Sequence, residues 1–219
     1  MSKRRLPVPI IAEIQHGLSG LRNLGNTCFL NSCMQILSHT TCMNVFLDAQ
    51  NNKSSEQAFL VKMSSEKYVE EFHLLIEWDT VRKLLWKSNC VVTPSGFFQG
   101  MRKVAAKHKQ MLFTGYMQND VSEFLRFLLN TFHIGIQREV EMNINGTRKS
   151  SMDGMAVKCY EMFKNEYSKC YSEIIPMFYG VQVTVLTDAV YTSHGIEQGK
   201  ELSSRPEPCF ILSLSIPIT

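Results

Sequence analysis

Apolar residues recur at helical spacing along most of this chain, and the period shortens to two only near its end. Phe29, Leu30, Cys33, Met34, Ile36 and Leu37 follow the spacing of a buried helix that should fade near residues 39–41. Just ahead of it stand Asn26 and Thr27, residue types whose side chains accept hydrogen bonds from the orphan amides of a first turn. Gly25 supplies the backbone freedom that a tight turn into the helix requires. Residues 48–58 are polar and read as a loop. Tyr68, Phe72, Leu75 and Ile76, then Val81, Leu84 and Leu85, fit one long helix or two short ones. Thr93-Pro94 starts another, with proline where its missing N–H does no harm. Phe97, Met101, Val104 and Ala105 give that helix one apolar face, although Gly96 and Gly100 weaken it.

The clearest helix carries Val121, Phe124, Leu125, Leu128 and Phe132 on one side and Ser122, Arg126 and Asn130 on the other. A polar loop over residues 143–154 follows, then Met155, Cys159, Met162, Phe163 and Cys170 at helical spacing. From residue 176 to 186, Val181, Val183 and Val185 alternate with Gln182 and Thr184, which predicts a strand. A second strand is expected over residues 209–216, stopped by Pro217, with a Ser-Ser-Arg-Pro-Glu-Pro turn before it. Residues 6–19, with Pro7 and Pro9, read as an extended lead-in.

Composition narrows the classes. At 219 residues the chain is long enough for one or two domains with a real core. A net charge of +3 is too mild to call for a nucleic-acid partner, and Lys3-Arg4-Arg5 reads as a solvated tail. No apolar run approaches membrane-spanning length, and residues 1–20 lack the layout of a signal peptide, so no membrane association is expected. The seven cysteines are an odd number without regular spacing, which reads as reduced thiols of the cytoplasm or nucleus. Asn145-Gly-Thr147 is then an unmodified polar loop rather than a glycosylation acceptor.

Two stretches carry candidate chemistry. Cys28 falls in the first turn of its helix, where free N–H groups and the helix dipole favour a thiolate over a thiol. The bland alternative is a small core hydrophobe. Asp120 and Glu123 stand at capping-box spacing, so holding the helix end is the plain reading of both.

Asn23-Leu-Gly-Asn-Thr-Cys28-Phe-Leu-Asn-Ser32 resembles the Cys box of the ubiquitin-specific proteases, a papain-like family of deubiquitinating enzymes. The resemblance implies that Cys28 is the nucleophile at the ubiquitin C-terminus and Asn23 the oxyanion donor, a role worth about 10²–10³ in rate. Gln118-Asn-Asp120-Val-Ser-Glu123-Phe-Leu resembles the family's second box, with Asn119 for the usual Gln and Val121 for the usual Ala. It implies that Gln118, Asp120 and Glu123 bind substrate, the two carboxylates lining the cleft for the basic ubiquitin tail, where charge-assisted pairs are strong and directional. Asp120 could cap and bind at once.

The fold implied is α+β and papain-like: an extended lead-in over residues 1–19, a helical thumb over 20–171, then the first antiparallel finger strands over 172–219. The family's palm, with its His box, is expected to be absent, because the sequence ends at Thr219 before that region. Where many members carry a finger Cys-x-x-Cys, this chain has Thr187-Asp-Ala-Val190, so neither zinc nor any other cofactor is expected. None of the six histidines, including His194 in its Gly-rich setting, has the Gly-His-Tyr context of the family's general base. Acid–base assistance is worth typically about 10²–10⁴-fold. The resemblance therefore implies a truncated cysteine deubiquitinase with negligible turnover as a lone chain. The alternatives are an inactive ubiquitin-tail binder or decoy, and an unrelated helical scaffold. Expected partners are ubiquitin or ubiquitinated proteins, and a chain that completes the palm sheet beside the apolar closing strands.

Overall fold

The computed structural model describes residues 17–51, 66–192, 195–212 and 214. Most of the expected lead-in and residues 52–58 of the expected loop lie outside them, as do His16 and His194. The elements run β1 (Gly20–Leu21), α1 (Cys28–Ser38), α2 (Thr41–Asn51), a 3-10 turn (Glu66–Tyr68) leading into α3 (Val69–Lys87), and β2 (Val91–Val92). Then come α4 (Ser95–Lys107), a second 3-10 turn (Met111–Phe113), α5 (Val121–Ile136), α6 (Ser151–Tyr167) and α7 (Ile174–Phe178). The hairpin β3 (Gly180–Thr192) and β4 (Gly195–Cys209) follows. Helices dominate and strands are few, an α+β arrangement.

The core is built around α3, a single helix where the pattern allowed one or two. Its Leu74, Leu75, Trp78, Val81 and Leu85 are buried against Phe97, Met101 and Val104 of α4 and against Phe124, Leu128, Phe132 and Ile136 of α5. Aromatic edges lock these contacts: Trp78 meets Phe97 at 6.3 Å, and Phe29 of α1 meets Phe124 at 5.0 Å. Each such side chain, fully buried, contributes roughly 1.5–3 kcal/mol. The same helix buries Glu71, Asp79 and Arg82. Arg82 Nη2 reaches Asp79 at 2.7 Å and Asp48 of α2 at 2.6 Å, while Lys83 Nζ takes the other Asp79 oxygen at 2.7 Å. Glu71 receives Lys107 Nζ at 2.9 Å and His108 Nε2 at 2.5 Å. Burial alone would push the Glu71 carboxyl up; the hydrogen bonds from Lys107, backbone and His108 outweigh it and hold it below the usual carboxylate range.

Four expected element bounds need correction. Residues 151–154, expected as loop, open α6, because Ser150 Oγ accepts from Asp153 N and the Asp153 carboxylate accepts from Ser150 N. Residues 48–51 belong to α2, because Met43 and Leu47, four residues apart, bury one face of that helix completely. Residues 176–178 are the end of α7, not strand. Ile174 and Ile175 are driven into the core, and Pro176 sits in a first turn, where its lost N–H costs nothing. β4 ends at Cys209, so the supposed turn over residues 203–208 is paired strand; residues 210–212 and 214 are not strand, and residues 213, 215 and 216 of the expected second strand lie outside the described residues. Pro206 faces Val183 and Pro208 faces Val181. Two prolines two residues apart fit a strand with one partner, because their nitrogens turn to its outer edge.

All seven cysteines are free thiols. Among the described residues no helix is long and apolar enough to cross a membrane.

Candidate active site

The strand pair β1–β2 is parallel and only two residues long, yet it fixes the approach to Cys28. Gly20 N donates to Cys90 O and Arg22 N to Val92 O, both at 2.9 Å. Gln35 of α1 reaches back to Ser19 O at 2.9 Å. The chain then turns through residues 23–27 and starts α1 at Cys28.

That turn is built on one amide. Asn23 Oδ1 accepts from Gly25 N at 2.9 Å, from Thr27 N at 3.1 Å and from Thr27 Oγ1 at 3.0 Å. Three donors on the carbonyl oxygen settle which end of the amide faces the loop, and leave Nδ2 as the outward N–H donor. Thr27 is 2% exposed, and its hydroxyl also accepts from Leu24 N at 2.9 Å. Neither Asn26 nor Thr27 caps α1 as the residue types suggested. Thr27 is at the N-cap position without a side-chain bond to the first turn. Asn26 has φ +53° and donates from Nδ2 to Tyr116 O at 3.0 Å. Gly25, at φ +103°, performs the expected left-handed turn. Cys28 emerges exposed as the first residue of α1.

Cys33, one turn and a half along the same helix, has the opposite character. Its Sγ is buried against Val121 O at 3.6 Å, and burial, reinforced by Asp120, pushes its thiol up to about 11. That contact also ties α1 to the start of α5.

At the α5 terminus Asp120 is the N-cap. Its Oδ1 accepts from Ser122 N at 2.7 Å, Ser122 Oγ at 2.5 Å and Glu123 N at 3.0 Å. These bonds, the Ser122 hydroxyl foremost, hold its carboxyl below the usual range. The cap occupies one oxygen, so Oδ2 remains available to a cation. Glu123 lines a cleft of about 630 Å³ with Leu112, Phe113, Arg126, Phe127 and Tyr179. Gln118 is exposed on the segment leading to the cap.

Three of the four described histidines, His39, His108 and His133, are hydrogen-bonded. His133 is buried and bonded through Nδ1 to Ser172 Oγ at 2.7 Å, and burial pushes it down to about 4. His108 meets Glu71. His39 lies at the far end of α1, 11 residues and about 16 Å from Cys28, with its ring 5.2 Å from Trp86. His73 is exposed on α3. Among the described residues no group of three or more His, Cys, Asp or Glu side chains is placed to hold a metal ion.

Residues 19–193, which enclose both boxes, match the model of the family described as "Ubiquitin carboxyl-terminal hydrolase". The chain belongs to the ubiquitin carboxyl-terminal hydrolase family. Within it, the chain is similar to ubiquitin carboxyl-terminal hydrolase 2 of Homo sapiens, 38% identical over 130 residues that cover 56% of this chain and 18% of that protein. Ubiquitin carboxyl-terminal hydrolase Usp2 of Drosophila melanogaster is 35% identical over 59% of this chain and 12% of its own length. Ubiquitin carboxyl-terminal hydrolase 4 of Bos taurus is 30% identical over 78% of this chain and 17% of its own length. The chain thus spans less than a fifth of these relatives' length. Membership accords with the papain-like, mixed helix and strand architecture, and with the likeness to ubiquitin-specific proteases carried by the two boxes.

Proposed function

We propose that the chain carries the nucleophile of a thiol-dependent ubiquitin hydrolase. Cys28, as its thiolate, attacks the carbonyl carbon at the ubiquitin C-terminus, and the carbonyl oxygen gains charge as the tetrahedral intermediate forms. Asn23 Nδ2 donates to that oxygen. Asp120 Oδ2, Glu123 and Gln118 face the basic tail of ubiquitin. The observation that carries this reading is the Asn23 amide, whose oxygen is held by Gly25 and Thr27 so that its N–H is preorganised as a donor before substrate arrives. A reducing compartment, cytoplasm or nucleus, suits this chemistry.

The test is capture of the full chain by ubiquitin bearing a C-terminal electrophile, followed by peptide mapping. An adduct of one ubiquitin at Cys28, absent in Cys28→Ala, is expected. Absence of an adduct at Cys28 in the native chain would reject the proposal.

A second reading, recognition of the ubiquitin tail without turnover, draws support from the placement of His39, His73, His108 and His133. The leaving amine needs a proton, and each of these imidazoles is held by, or projects from, a different part of the fold. Release of a fluorophore from a ubiquitin C-terminal amide separates the two readings: turnover supports the first, and binding without release the second.

A further inference from the structure

The segment before α5 touches the Cys28 loop at one point and α4 at another. On one side, Tyr116 O accepts from Asn26 Nδ2 at 3.0 Å. On the other, the Arg102 guanidinium of α4 binds the same segment three ways. Nε donates to Thr114 O at 2.5 Å, Nη1 to Tyr116 Oη at 3.2 Å, and the group lies 4.7 Å from the centre of the Tyr116 ring. The ring in turn lies 5.8 Å from that of Phe98, buried on α4. Tyr116 is therefore clamped between a helix of the core and the left-handed Asn26. Asn26 sits between Asn23 and Cys28, in the tightest part of the turn.

We infer that Arg102 is a positioning residue for the Cys28 loop, acting through Tyr116 and Asn26. This rests on the reading of Cys28 and Asn23 given above. Asn26 is held in a backbone region that costs a non-glycine residue free energy, so the turn needs an outside contact to keep it there. The Tyr116 carbonyl supplies it, and Arg102 keeps that carbonyl in place. With the relay intact, Gly25 N and Thr27 N stay aimed at Asn23 Oδ1 and the oxyanion donor keeps its direction. A displacement of about 1 Å at such a donor is enough to cost as much as a hundredfold in rate.

The test uses the full chain and ubiquitin with a C-terminal aldehyde, whose carbonyl oxygen gains charge as Cys28 adds to it, with the maximal rate of capture and the half-saturating probe concentration measured separately. Arg102→Ala should lower the maximal rate about tenfold and leave the half-saturating concentration unchanged. Arg102→Lys, which keeps the charge and one donor, should recover part of that loss. Asn26→Ala removes the bond to Tyr116 but keeps a side chain that strains the left-handed turn, and should fall at least as far as Arg102→Ala. The double variant should fall no further, because both changes cut one relay. Alkylation of Cys28 by iodoacetamide, which needs no oxyanion donor, should stay within about twofold of native throughout. Hydrogen exchange at the Gly25 and Thr27 amides should quicken in Arg102→Ala while amides inside α1 stay protected.

Native-like capture by Arg102→Ala, or losses that add in the double variant, would overturn the inference alone. Equal losses of capture and of iodoacetamide reactivity would also overturn it, by making Arg102 a general support of the fold. Failure of the native chain to be captured would overturn the reading of Cys28 and take this inference with it.

Discussion

Gly135 of α5 lies against the backbone of Phe72 in α3: a Cβ added there would stand 2.8 Å from the Phe72 amide nitrogen. The obstacle is main chain, which cannot rotate aside as a flexible side chain can. Gly135→Ala gains about 1 kcal/mol of helix propensity but forces the two central helices apart, an overpacking cost of typically about 1–3 kcal/mol and occasionally more. A net loss of about 2 kcal/mol is expected, read as a lower urea midpoint with an unchanged slope.

Arg82→Ala removes the cation that bridges Asp79 to α2. Asp79 keeps Lys83, but its side chain is only 6% exposed, so most of its charge would be left buried without the guanidinium. Breaking such a pair from one side costs typically 3–5 kcal/mol, and with Lys83 retained about 3 kcal/mol is expected. Chemical unfolding of the variant in parallel with native protein measures it.

His133 makes stability depend on acidity. Its folded value near 4 is below the ordinary 6.5, so the unfolded chain binds the proton first as pH falls. The stability it confers is complete above about pH 6.5 and is lost as pH drops towards 4. At pH 5 the loss should be about 2 kcal/mol. Unfolding free energies of native protein and His133→Asn, compared at pH 7.5 and pH 5, should show the native chain losing this much more than the variant.

On the reading proposed above, Asp120 divides its two oxygens between a cap and the ubiquitin tail. Asp120→Asn preserves an acceptor for the amides of Ser122 and Glu123, so its melting temperature should stay close to native, whereas Asp120→Ala should melt lower. Both lose the negative charge. Both should therefore bind ubiquitin about tenfold more weakly, in line with the loss of one charge-assisted hydrogen bond. Titration by fluorescence anisotropy, set beside the melting curves, distinguishes the two roles.

Local periodicity reported the helices well where one apolar face dominates, as in α1 and α5, since Phe124, Leu128 and Phe132 repeat with the turn of the helix. It failed where burial runs against residue type. Glu71, Asp79 and Arg82 look like a solvated face, and only partners on other elements, Asp48, Lys107 and His108, make their burial tolerable. The hairpin was misplaced because Pro206 and Pro208 signal a turn locally, while their pairing with Val183 and Val181 is set by β3. In the candidate site, the long Cys box marked Asn23 and Cys28 by residue type and spacing. The bond from Asn26 to Tyr116 spans 90 positions and the clamp by Arg102 has no local pattern, so neither was legible. A hint was present in Gly25-Asn26, since asparagine tolerates the left-handed region better than most residues.

The two prolines of β4 give the β3–β4 hairpin a polarity. A strand arriving along the β4 flank would find two consecutive rungs without a donor, whereas β3 carries no proline and is irregular only around residues 186–189. Lateral growth of the sheet is thereby channelled to β3, and edge-to-edge pairing of hairpins along β4 is discouraged by the residues that disguised the strand.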